Sequence, residues 1–266
     1  FVTKKETYVN WDPIEQSVLA NEQVIDGKGW RSGASVERKK LSQWFFNISM
    51  FADQLLNDLD DLKFWPEKVK LMQKNWIGKS KGAKVLFKTD QSVTIQVFTT
   101  RLDTLFGVSF LVLAPENKIV HRITTTPNIK KIKDYQTQTQ NKSEKQRKSE
   151  KGTPTGVFTG AYAYHPTTKK KLPIWISDYV LNDYGTGAVM GVPAGDQRDH
   201  DFAKEFNINI PEIFENIDCS KQAHTEKNTP LKNSGVLNGL SSKKASDLIF
   251  KGLLEKQSAS LQINYK

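Results

Sequence analysis

The chain has 266 residues, with 39 Lys or Arg against 29 Asp or Glu, so its formal net charge is +10. Hydrophobic residues make up 37% of the sequence, which is enough for a core and excludes a globally disordered chain. The longest apolar stretch, residues 105–114, is too short for a membrane-spanning helix, and the single Cys219 excludes an internal disulfide framework. Because the sequence starts at Phe1 without a Met or an apolar leader, we expect that it was cut from a longer protein.

The N-terminal part predicts a small β-rich module followed by two helices. Residues 9–36 are interrupted by turn-forming Pro and Gly, which favours short strands over a helix. Residues 44–62 place apolar side chains at the spacing of one helical face, which predicts a helix that ends before Pro66. A second helix is predicted over residues 66–75, with the proline in its first turn.

The middle of the chain predicts strands around a polar loop. Residues 85–98 alternate apolar and polar side chains on both sides of a polar tripeptide, which predicts a β-hairpin. Residues 99–103 are predicted to be loop, and the apolar run 105–114 a fully buried strand. Residues 118–151 then hold ten Lys or Arg and three acidic residues, so this segment carries most of the net charge.

The remaining sequence completes a mixed α/β pattern. Three strand-like segments, 156–164, 172–181 and 187–192, are separated by Gly, Pro and Asp turns, and a helix is predicted over residues 197–206. No unit recurs at a fixed spacing, which excludes solenoid and propeller folds. The predicted fold is therefore a mixed α/β domain whose core is dominated by strands.

Several common kinds of catalytic site are not indicated by the sequence. The four His and the one Cys are scattered, without Cys-x-x-Cys or His-x-x-x-His spacing, so no metal bound by protein ligands is predicted. A Gly-x-Ser-x-Gly elbow, a phosphate-binding loop and a dinucleotide fingerprint are absent as well. Covalent catalysis and nucleotide binding are therefore not predicted.

Two polar segments remain as candidate sites. In the first, residues 98–104, hydroxyl and charged side chains crowd a loop between two predicted apolar strands. Such a loop can hold a ligand against a rigid sheet, or it can be a local turn that closes a hairpin. The residues alone leave both interpretations open.

The second segment, residues 184–199, is a run of small residues that leads into acidic residues at a predicted helix start. Asp196 can be the N-cap of that helix, with Asp199 three residues later in a capping box. Capping does not require so many preceding glycines, however, and small residues also let another molecule approach the backbone closely. The spacing permits a pocket as well as a cap.

In their order and separation, these two segments resemble the editing domain of leucyl-tRNA synthetases. The resemblance covers nearly the whole chain and is to the bacterial and organellar branch of the family. The matching motifs are Val9-Asn10-Trp11-Asp12-Pro13, Gln43-Trp44-Phe45, Asn75-Trp76-Ile77-Gly78, Thr99-Thr100-Arg101, Asp103-Thr104, Gly185-Thr186-Gly187-Ala188-Val189-Met190, Asp196-Gln197-Arg198-Asp199 and Asn233-Ser234-Gly235. The family's His-x-Gly-His and Lys-Met-Ser-Lys-Ser signatures are absent, so the chain is not expected to charge tRNA by itself.

The resemblance implies a β-barrel-like α/β editing domain of the Val/Leu/Ile type of class I synthetases, joined to a small β-rich module. The implied reaction is hydrolysis of a wrong aminoacyl ester, such as norvaline, isoleucine or methionine, on leucine tRNA. A second pocket is useful because one methylene changes binding by only about 1–3 kcal/mol. No cofactor is expected for this segment, since ATP and Mg belong to the catalytic domain of the parent synthetase.

The resemblance also implies roles for individual residues. Thr104 is expected to be the steric gate against leucine, and Asp199 is expected to hold the substrate ammonium, as a charge-assisted bond in a partly dry pocket. Thr104, Asp199 and Thr100 are the expected catalytic residues, and no general base is evident, so the attacking water is expected to be oriented with help from a tRNA ribose hydroxyl. The expected substrate-binding residues are Thr99, Arg101, Tyr184, Met190, Val192 and Asp196.

Three departures from the family pattern bear on activity. Asp12, Gly29 and Ser32 stand where bacterial members carry cysteines of a zinc module, so this module is expected to fold without metal. Gly195 stands where a His is common, and Leu102 where a Pro is usual. The missing imidazole removes a contact to the substrate or to the terminal adenosine.

The predicted domains are a zinc-module-like segment with connecting helices (1–75), the editing domain (76–232) and a C-terminal return segment (233–266). The expected partners are the 3′ end of leucine tRNA and the rest of the synthetase chain, with no membrane, and the protein is expected to be a monomer. The expected location is the mitochondrial matrix, with a bacterial cytoplasm as the alternative. Segment 118–151 is either a solvated helix with a polar tail or a salt-sensitive RNA contact. Two alternative functions stay open, an RNA-binding module without editing activity and a structural spacer.

Overall fold

The computed structural model describes residues 1–140, 147, 153–182 and 185–265. The chain forms two compact units, Phe1–Lys79 together with Tyr265, and Ser80–Asn264. Residues 233–264 therefore belong to the second unit. The three-part domain division drawn from the sequence stays a prediction.

The first unit contains the predicted β-rich module. Its main sheet is antiparallel, with the strand order β2-β1-β5, and a separate two-stranded ladder joins β3 to β4. The strands are β1 (Val2–Asp12), β2 (Ser17–Leu19), β3 (Val24–Ile25), β4 (Lys28–Gly29) and β5 (Glu37–Phe46).

The prediction of one helix over residues 44–62 is wrong at its start. Trp44 and the next two residues complete β5, which pairs with β1 along its whole length, including Lys4 with Trp44. A 3-10 turn (Ile48–Phe51) and the short helix α1 (Ala52–Asp58) then follow. The aromatic side chains favour a strand once β1 supplies a ladder, and this non-local pairing overrides the helical spacing.

The second predicted helix is confirmed. Helix α2 (Glu67–Ile77) begins directly after Pro66, which is the N-cap residue and not, as predicted, part of the first turn. It ends at Gly78, whose φ of 59° is the left-handed conformation that glycine adopts without strain.

The second unit is built on a seven-stranded sheet with the order β11-β8-β10-β9-β6-β12, and β7 pairs with β6. All neighbours are antiparallel except β8 and β10, which are parallel. The strands are β6 (Ser80–Thr89), β7 (Thr94–Thr99), β8 (Phe110–Leu113), β9 (Val157–Tyr164), β10 (Lys171–Ile176), β11 (Ala188–Gly191) and β12 (Ala259–Asn264).

This sheet corrects the barrel-like expectation. Within the described ranges, its pairing follows an open path that ends at β11 and β12 and does not close on itself. Strands β7 and β11 pack against each other, but β11 has four residues and the ladder it forms runs to β8. The unit is therefore a mixed α/β fold with an open sheet.

Most predicted elements of the second unit are confirmed. The hairpin is β6–β7, the three later strands are β9 to β11, and the last predicted helix is α5 (Gln197–Glu205). The strand predicted over 172–181 is too long, because β10 ends at Ile176 and a loop follows. The predicted strand over 105–114 begins only at Phe110, because a 3-10 helix (Leu102–Gly107) occupies its first part. All four residues of β8 are buried, as expected for a strand covered on both faces.

Helices cover the sheet at several points. They are α3 (Val120–Ile123), α4 (Ile129–Gln140) and α6 (Ser242–Glu255), besides α5. Helix α4 buries Ile132 and Tyr135 and exposes its three lysines, while residues 141–146 and 148–151 of the basic segment lie outside the described residues. In the part of the chain that the structure describes, no helix is long and apolar enough to cross a membrane.

Candidate functional site

The structure brings the two polar segments of the sequence together. A Cβ atom at Gly195 would lie 3.6 Å from Cγ2 of Thr104 and 3.5 Å from Cγ1 of Val192. A Cβ atom at Gly185 would lie 3.6 Å from Cβ of Phe98, at the end of β7. The turns before and after the small-residue strand β11 thus lie against the 98–104 segment.

The first segment is fixed by its own hydrogen bonds. The Thr99 hydroxyl accepts from the Arg101 amide at 3.0 Å, and the Thr104 hydroxyl donates to the Arg101 carbonyl at 2.9 Å. A local turn is therefore present, but it does not close a hairpin as the alternative supposed, because the flanking strand β7 pairs with β6 and the flanking strand β8 pairs with β10 and β11. Because the Thr104 oxygen is held by the backbone, its methyl group is the atom presented toward Gly195. Thr100 is exposed.

Arg101 is paired with Asp103, for which the sequence predicted no role. Its Nε donates to Oδ1 of Asp103 at 3.1 Å and its Nη2 to Oδ2 at 3.0 Å. The Asp103 side chain is only 2% exposed, and its amide donates to the Ser246 hydroxyl of α6 at 3.1 Å. An Arg two residues before an acid in a polar loop was the signal that could have identified this bidentate pair.

Asp199 is a second buried carboxylate of the candidate site, with an exposed fraction of 6%. Its Oδ2 accepts from the Val192 amide at 2.8 Å, and its Oδ1 accepts from the Tyr179 hydroxyl at 3.0 Å. Burial, together with the negative charge of Asp196, raises the pKa of Asp199 to about 7, although the two hydrogen bonds lower it. At neutral pH this carboxyl group is therefore only partly ionised, and a neighbouring cation would favour its ionised form.

The prediction of Asp196 as the helix N-cap is confirmed. Its side chain accepts from the amides of Arg198 and Asp199 at 2.9 and 3.3 Å. The capping-box role of Asp199 is wrong, because its carboxylate turns to Val192 and Tyr179. The Asp196 amide instead donates to the Val192 carbonyl at 3.0 Å.

The other candidate residues are distributed around this centre. Met190 and Val192 are 7% and 5% exposed, and Met190 lies on β11 opposite Leu111 of β8. Tyr184 lies outside the described residues. Thr104, Val192 and Gly195 border one space, and Asp199 is joined to it through the Val192 amide.

Residues 74–254 match the family model described as leucyl-tRNA synthetase, editing domain. The chain belongs to this family.

Full-length members of the family are much longer than the chain. A leucine–tRNA ligase from Synechococcus sp. (strain JA-2-3B'a(2-13)) is 52% identical over 213 residues, 80% of this chain and 24% of that protein. The enzyme of Clostridium botulinum (strain Langeland / NCTC 10281 / Type F) is 48% identical over 264 residues, 99% of this chain and 32% of that protein. The chain thus spans about a quarter to a third of the length of these relatives.

A solved structure shows the same fold. It is the ternary complex of Agrobacterium radiobacter K84 agnB2 LeuRS with tRNA and LeuAMS, and the TM-score is 0.76 at 39% sequence identity. The match covers 99% of this chain and 30% of that chain. The family resemblance inferred from the sequence is confirmed.

The two departures from the family pattern inside the editing domain are locally compatible with the fold. A Cβ atom at Gly195 would make ordinary contacts of 3.5 to 3.8 Å with Val192, Thr104 and Phe214, so the glycine leaves room beside the Thr104 methyl. Leu102 is 5% exposed and occupies the first position of the 3-10 helix, where a proline is also tolerated.

The zinc-module positions come together, but they do not fit a zinc ion. The Ser32 hydroxyl donates to the buried carboxylate of Asp12, which also accepts from the amides of Ile14 and Glu15 at 2.9 and 3.0 Å. These bonds, that of Ser32 first, lower the pKa of Asp12. A Cβ atom at Gly29 would overlap the same carboxylate, and one carboxylate without sulfur or imidazole is not a zinc donor set. Across residues 1–140, 147, 153–182 and 185–265, no group of three His, Cys, Asp or Glu could hold a metal ion.

Proposed function

We propose that the chain is the editing part of a leucine–tRNA ligase and that it hydrolyses wrong aminoacyl esters, such as norvaline, isoleucine or methionine, on leucine tRNA. One observation carries this proposal. The buried Asp199 carboxylate is bonded to the Val192 amide, and the side chain of Val192 and the methyl of Thr104 border the space left open at Gly195. A buried carboxylate thus lies near a small apolar space, and these two features suit the ammonium and the side chain of an amino acid.

Asp199 supplies the charge that selects an α-amino group. With a pKa of about 7, the free carboxyl group is only partly ionised at neutral pH. An arriving ammonium stabilises the ionised form, so binding is expected to release a fraction of a proton and to form a charge-assisted bond. The carboxylate therefore fixes the backbone end of the amino acid.

Thr104 limits the size of the side chain. Its hydroxyl is held by the Arg101 carbonyl, so the methyl group cannot rotate out of the space beside Gly195 without breaking that bond. We propose that this methyl clashes with leucine and admits the smaller or differently branched wrong residues. We propose that Met190 and Val192 complete the apolar wall, and the family resemblance implies the same role for Tyr184.

Thr99, Thr100 and Arg101 are proposed to hold the ester end. The Thr99 hydroxyl already accepts from the Arg101 amide, which leaves its hydrogen able to donate to an ester or water oxygen. The Arg101 charge is matched by Asp103, so it offers directed N–H groups more than net charge. We propose that these groups accelerate hydrolysis by orienting a water molecule, without a general base.

The remaining proposals concern partners and location. We propose the 3′ end of leucine tRNA and the rest of a synthetase chain as partners of a monomer. Most of the exposed large hydrophobic side chains lie in Phe1–Lys79, among them Trp44 and Trp76 at 69% and 79% exposure, which supports coverage of that unit by further polypeptide. We propose the mitochondrial matrix as the location, because the zinc-module cysteines are replaced and the segment 118–151 is strongly basic. A bacterial cytoplasm is the alternative.

A second candidate function is an RNA-binding module without editing activity. It is favoured by Gly195, where the family often has His, and by the exposed lysines 130, 131 and 133 on α4. It predicts retention of RNA that weakens steeply with salt, because phosphate contacts release counterions. An absence of RNA retention even at low salt would count against it.

The deciding experiment is deacylation of leucine tRNA charged with norvaline or isoleucine, with correctly charged tRNA as the reference. It uses the full-length parent and this chain, each also carrying Asp199→Ala or the control Asp201→Ala, whose side chain lies on the same helix but is about half exposed. Asp199→Ala should lower hydrolysis by roughly a hundredfold, since it removes one partner of a buried charge pair. Equal loss with Asp201→Ala, or full activity of Asp199→Ala, would refute the assignment.

A further inference from the structure

The loop formed by residues 177–180, directly after β10, reaches the Asp199 carboxylate. The Tyr179 hydroxyl donates to Oδ1 at 3.0 Å, while Oδ2 is held from the other side by the Val192 amide at 2.8 Å. We propose that Tyr179 is a positioning residue of the site, whose hydroxyl holds the Asp199 carboxylate in the orientation that receives the substrate ammonium. This inference rests on the proposed editing function, and Tyr179 is not among the site residues that the sequence predicts.

The geometry explains why two donors are needed. A carboxylate held through one oxygen can still turn about its last side-chain bond, whereas donors on both oxygens fix its plane. Each oxygen has two acceptor positions, so the bonds from Tyr179 and Val192 leave one on each oxygen for an ammonium. The carboxylate is thus oriented before the substrate arrives, which removes part of the ordering cost from binding.

The loop that carries Tyr179 is itself fastened on both sides. Arg147 donates through Nε to the Asp178 carbonyl at 2.7 Å and through Nη2 to the Val180 carbonyl at 2.6 Å. The Asp178 amide donates to the Tyr135 hydroxyl of α4 at 3.1 Å. One arginine of the basic segment thus holds the loop beside the site, a role distinct from contact with RNA.

Packing and charge keep Tyr179 a donor. Its ring meets Phe202 of α5 edge-on at 5.8 Å between centroids, and burial raises the pKa of its phenol well above 10. Among the described residues, the charged and titratable groups that act on Asp199 are Tyr179, Asp196 and Arg198. The phenol and Arg198 favour the ionised carboxylate, while Asp196 opposes it.

The test is the ionisation of Asp199 itself, followed by carboxyl ¹³C resonances of labelled Asp and assigned with Asp199→Asn. Wild-type chain should titrate with a midpoint near 7, the pKa of about 7 given by its surroundings. Tyr179→Phe keeps the ring against Phe202 and removes only the hydroxyl, so the midpoint should move upward by about one pH unit, a roughly tenfold change in ionisation. The control Tyr162→Phe, on β9 beside Phe158, should leave the midpoint in place.

Activity supplies the second readout. For Tyr179→Phe, the acid limb of hydrolysis of the norvaline ester should move to higher pH, with KM raised at pH 7 and wild-type rates recovered at higher pH. A purely structural role would lower the rate at every pH. If Tyr179→Phe and wild type share one titration midpoint, the positioning role is overturned, whether or not the chain edits. Failure of the editing proposal itself would be seen separately, as a rate of ester hydrolysis that Asp199→Ala leaves unchanged.

A second variant covers the case in which Tyr179→Phe does not fold. Replacement of Tyr179 by 3-fluorotyrosine makes the phenol a stronger donor with almost no change in size. The Asp199 midpoint should then move to lower pH, the opposite direction from Tyr179→Phe. An unchanged midpoint would again overturn the proposal.

Discussion

Asp199 is a carboxyl group that the fold keeps out of water, and ionisation in that place is unfavourable. The Val192 amide and the Tyr179 hydroxyl offset part of the desolvation, but burial dominates and the pKa rises to about 7. At the residue scale, the protein thus loses stability at neutral pH at a position where a bound cation would restore it. This combination is typical of functional sites rather than of capping residues.

The pH dependence of stability should reveal this group. A carboxyl whose folded-state pKa is raised contributes stability below its unfolded pKa near 3.8, and the contribution is lost as pH rises through about 7. Because Asn is neutral at every pH, the free energy of unfolding of Asp199→Asn should rise relative to that of wild type between pH 4 and pH 7. The difference should reach up to roughly 4 kcal/mol and stay constant above pH 7. Urea unfolding at several pH values measures this. The control Asp201→Asn, at an exposed position, should run parallel to wild type.

Gly195 offers a second residue-scale prediction. Gly195→Ala should preserve or slightly raise the melting temperature, because its Cβ makes only ordinary contacts and alanine reduces the entropy of the unfolded chain. The added methyl lies beside that of Thr104, so hydrolysis of the isoleucine ester should fall relative to the norvaline ester. Melting curves and the ratio of the two rates measure these effects. The control Gly191→Ala should destabilise strongly, since its Cβ would overlap the Phe110 ring.

At the element scale, the 3-10 helix Leu102–Gly107 is placed by partners far away in sequence. The Leu105 carbonyl is bonded to Nε2 of His165 at 3.0 Å, and the Asp103 amide to Ser246 of α6. Nδ1 of His165 accepts from the amides of Thr167 and Thr168, so the ring is neutral with its hydrogen on Nε2. The 3-10 helix is therefore held in place by the β9–β10 turn and by α6.

Elements that depend on local signals could be predicted from the sequence, whereas elements that depend on distant partners could not. The hairpin β6–β7 and helix α5 follow from periodicity and capping, which are local signals, and both are confirmed. The start of the predicted 44–62 helix is wrong because its partner strand β1 lies some forty residues earlier. Family motifs identified Asp199, but nothing near it in sequence indicates Tyr179, since a hydrogen bond across twenty residues leaves no periodic pattern.

The brace through His165 can be tested by its loss. His165→Ala leaves the Leu105 carbonyl and two amides without their partner, which should lower stability by about 2–3 kcal/mol and speed hydrogen exchange in residues 102–107. Exchange measured by mass spectrometry, with the exposed His121→Ala as control, checks this. Burial lowers the pKa of His165, so its contribution is present above pH 6.5 and is lost as pH falls through the folded pKa. Unchanged exchange in this segment would contradict the brace.

At the scale of the whole molecule, the second unit begins and ends at neighbouring positions of one ladder. β6 starts at Ser80, β12 ends at Asn264, and these two residues are paired across the sheet. A domain whose ends meet can be inserted into another chain without disturbing its own core. The relatives, of which this chain covers about a quarter to a third, are large enough to contain it in that way.

Residues 80–264 should fold by themselves. Their core needs only strands and helices of the second unit, and Trp175, packed on Phe206 at 4.7 Å and on Phe202, is the one Trp in this range of the sequence. A fragment 80–264 should therefore show a single cooperative transition and the same ¹⁹F resonance of 5-fluorotryptophan at 175 as the whole chain. The shorter fragment 80–258 lacks β12 and its six paired positions on β6, so it should melt at a much lower temperature. Equal stability of the two fragments would show that β12 is not part of the domain's core structure.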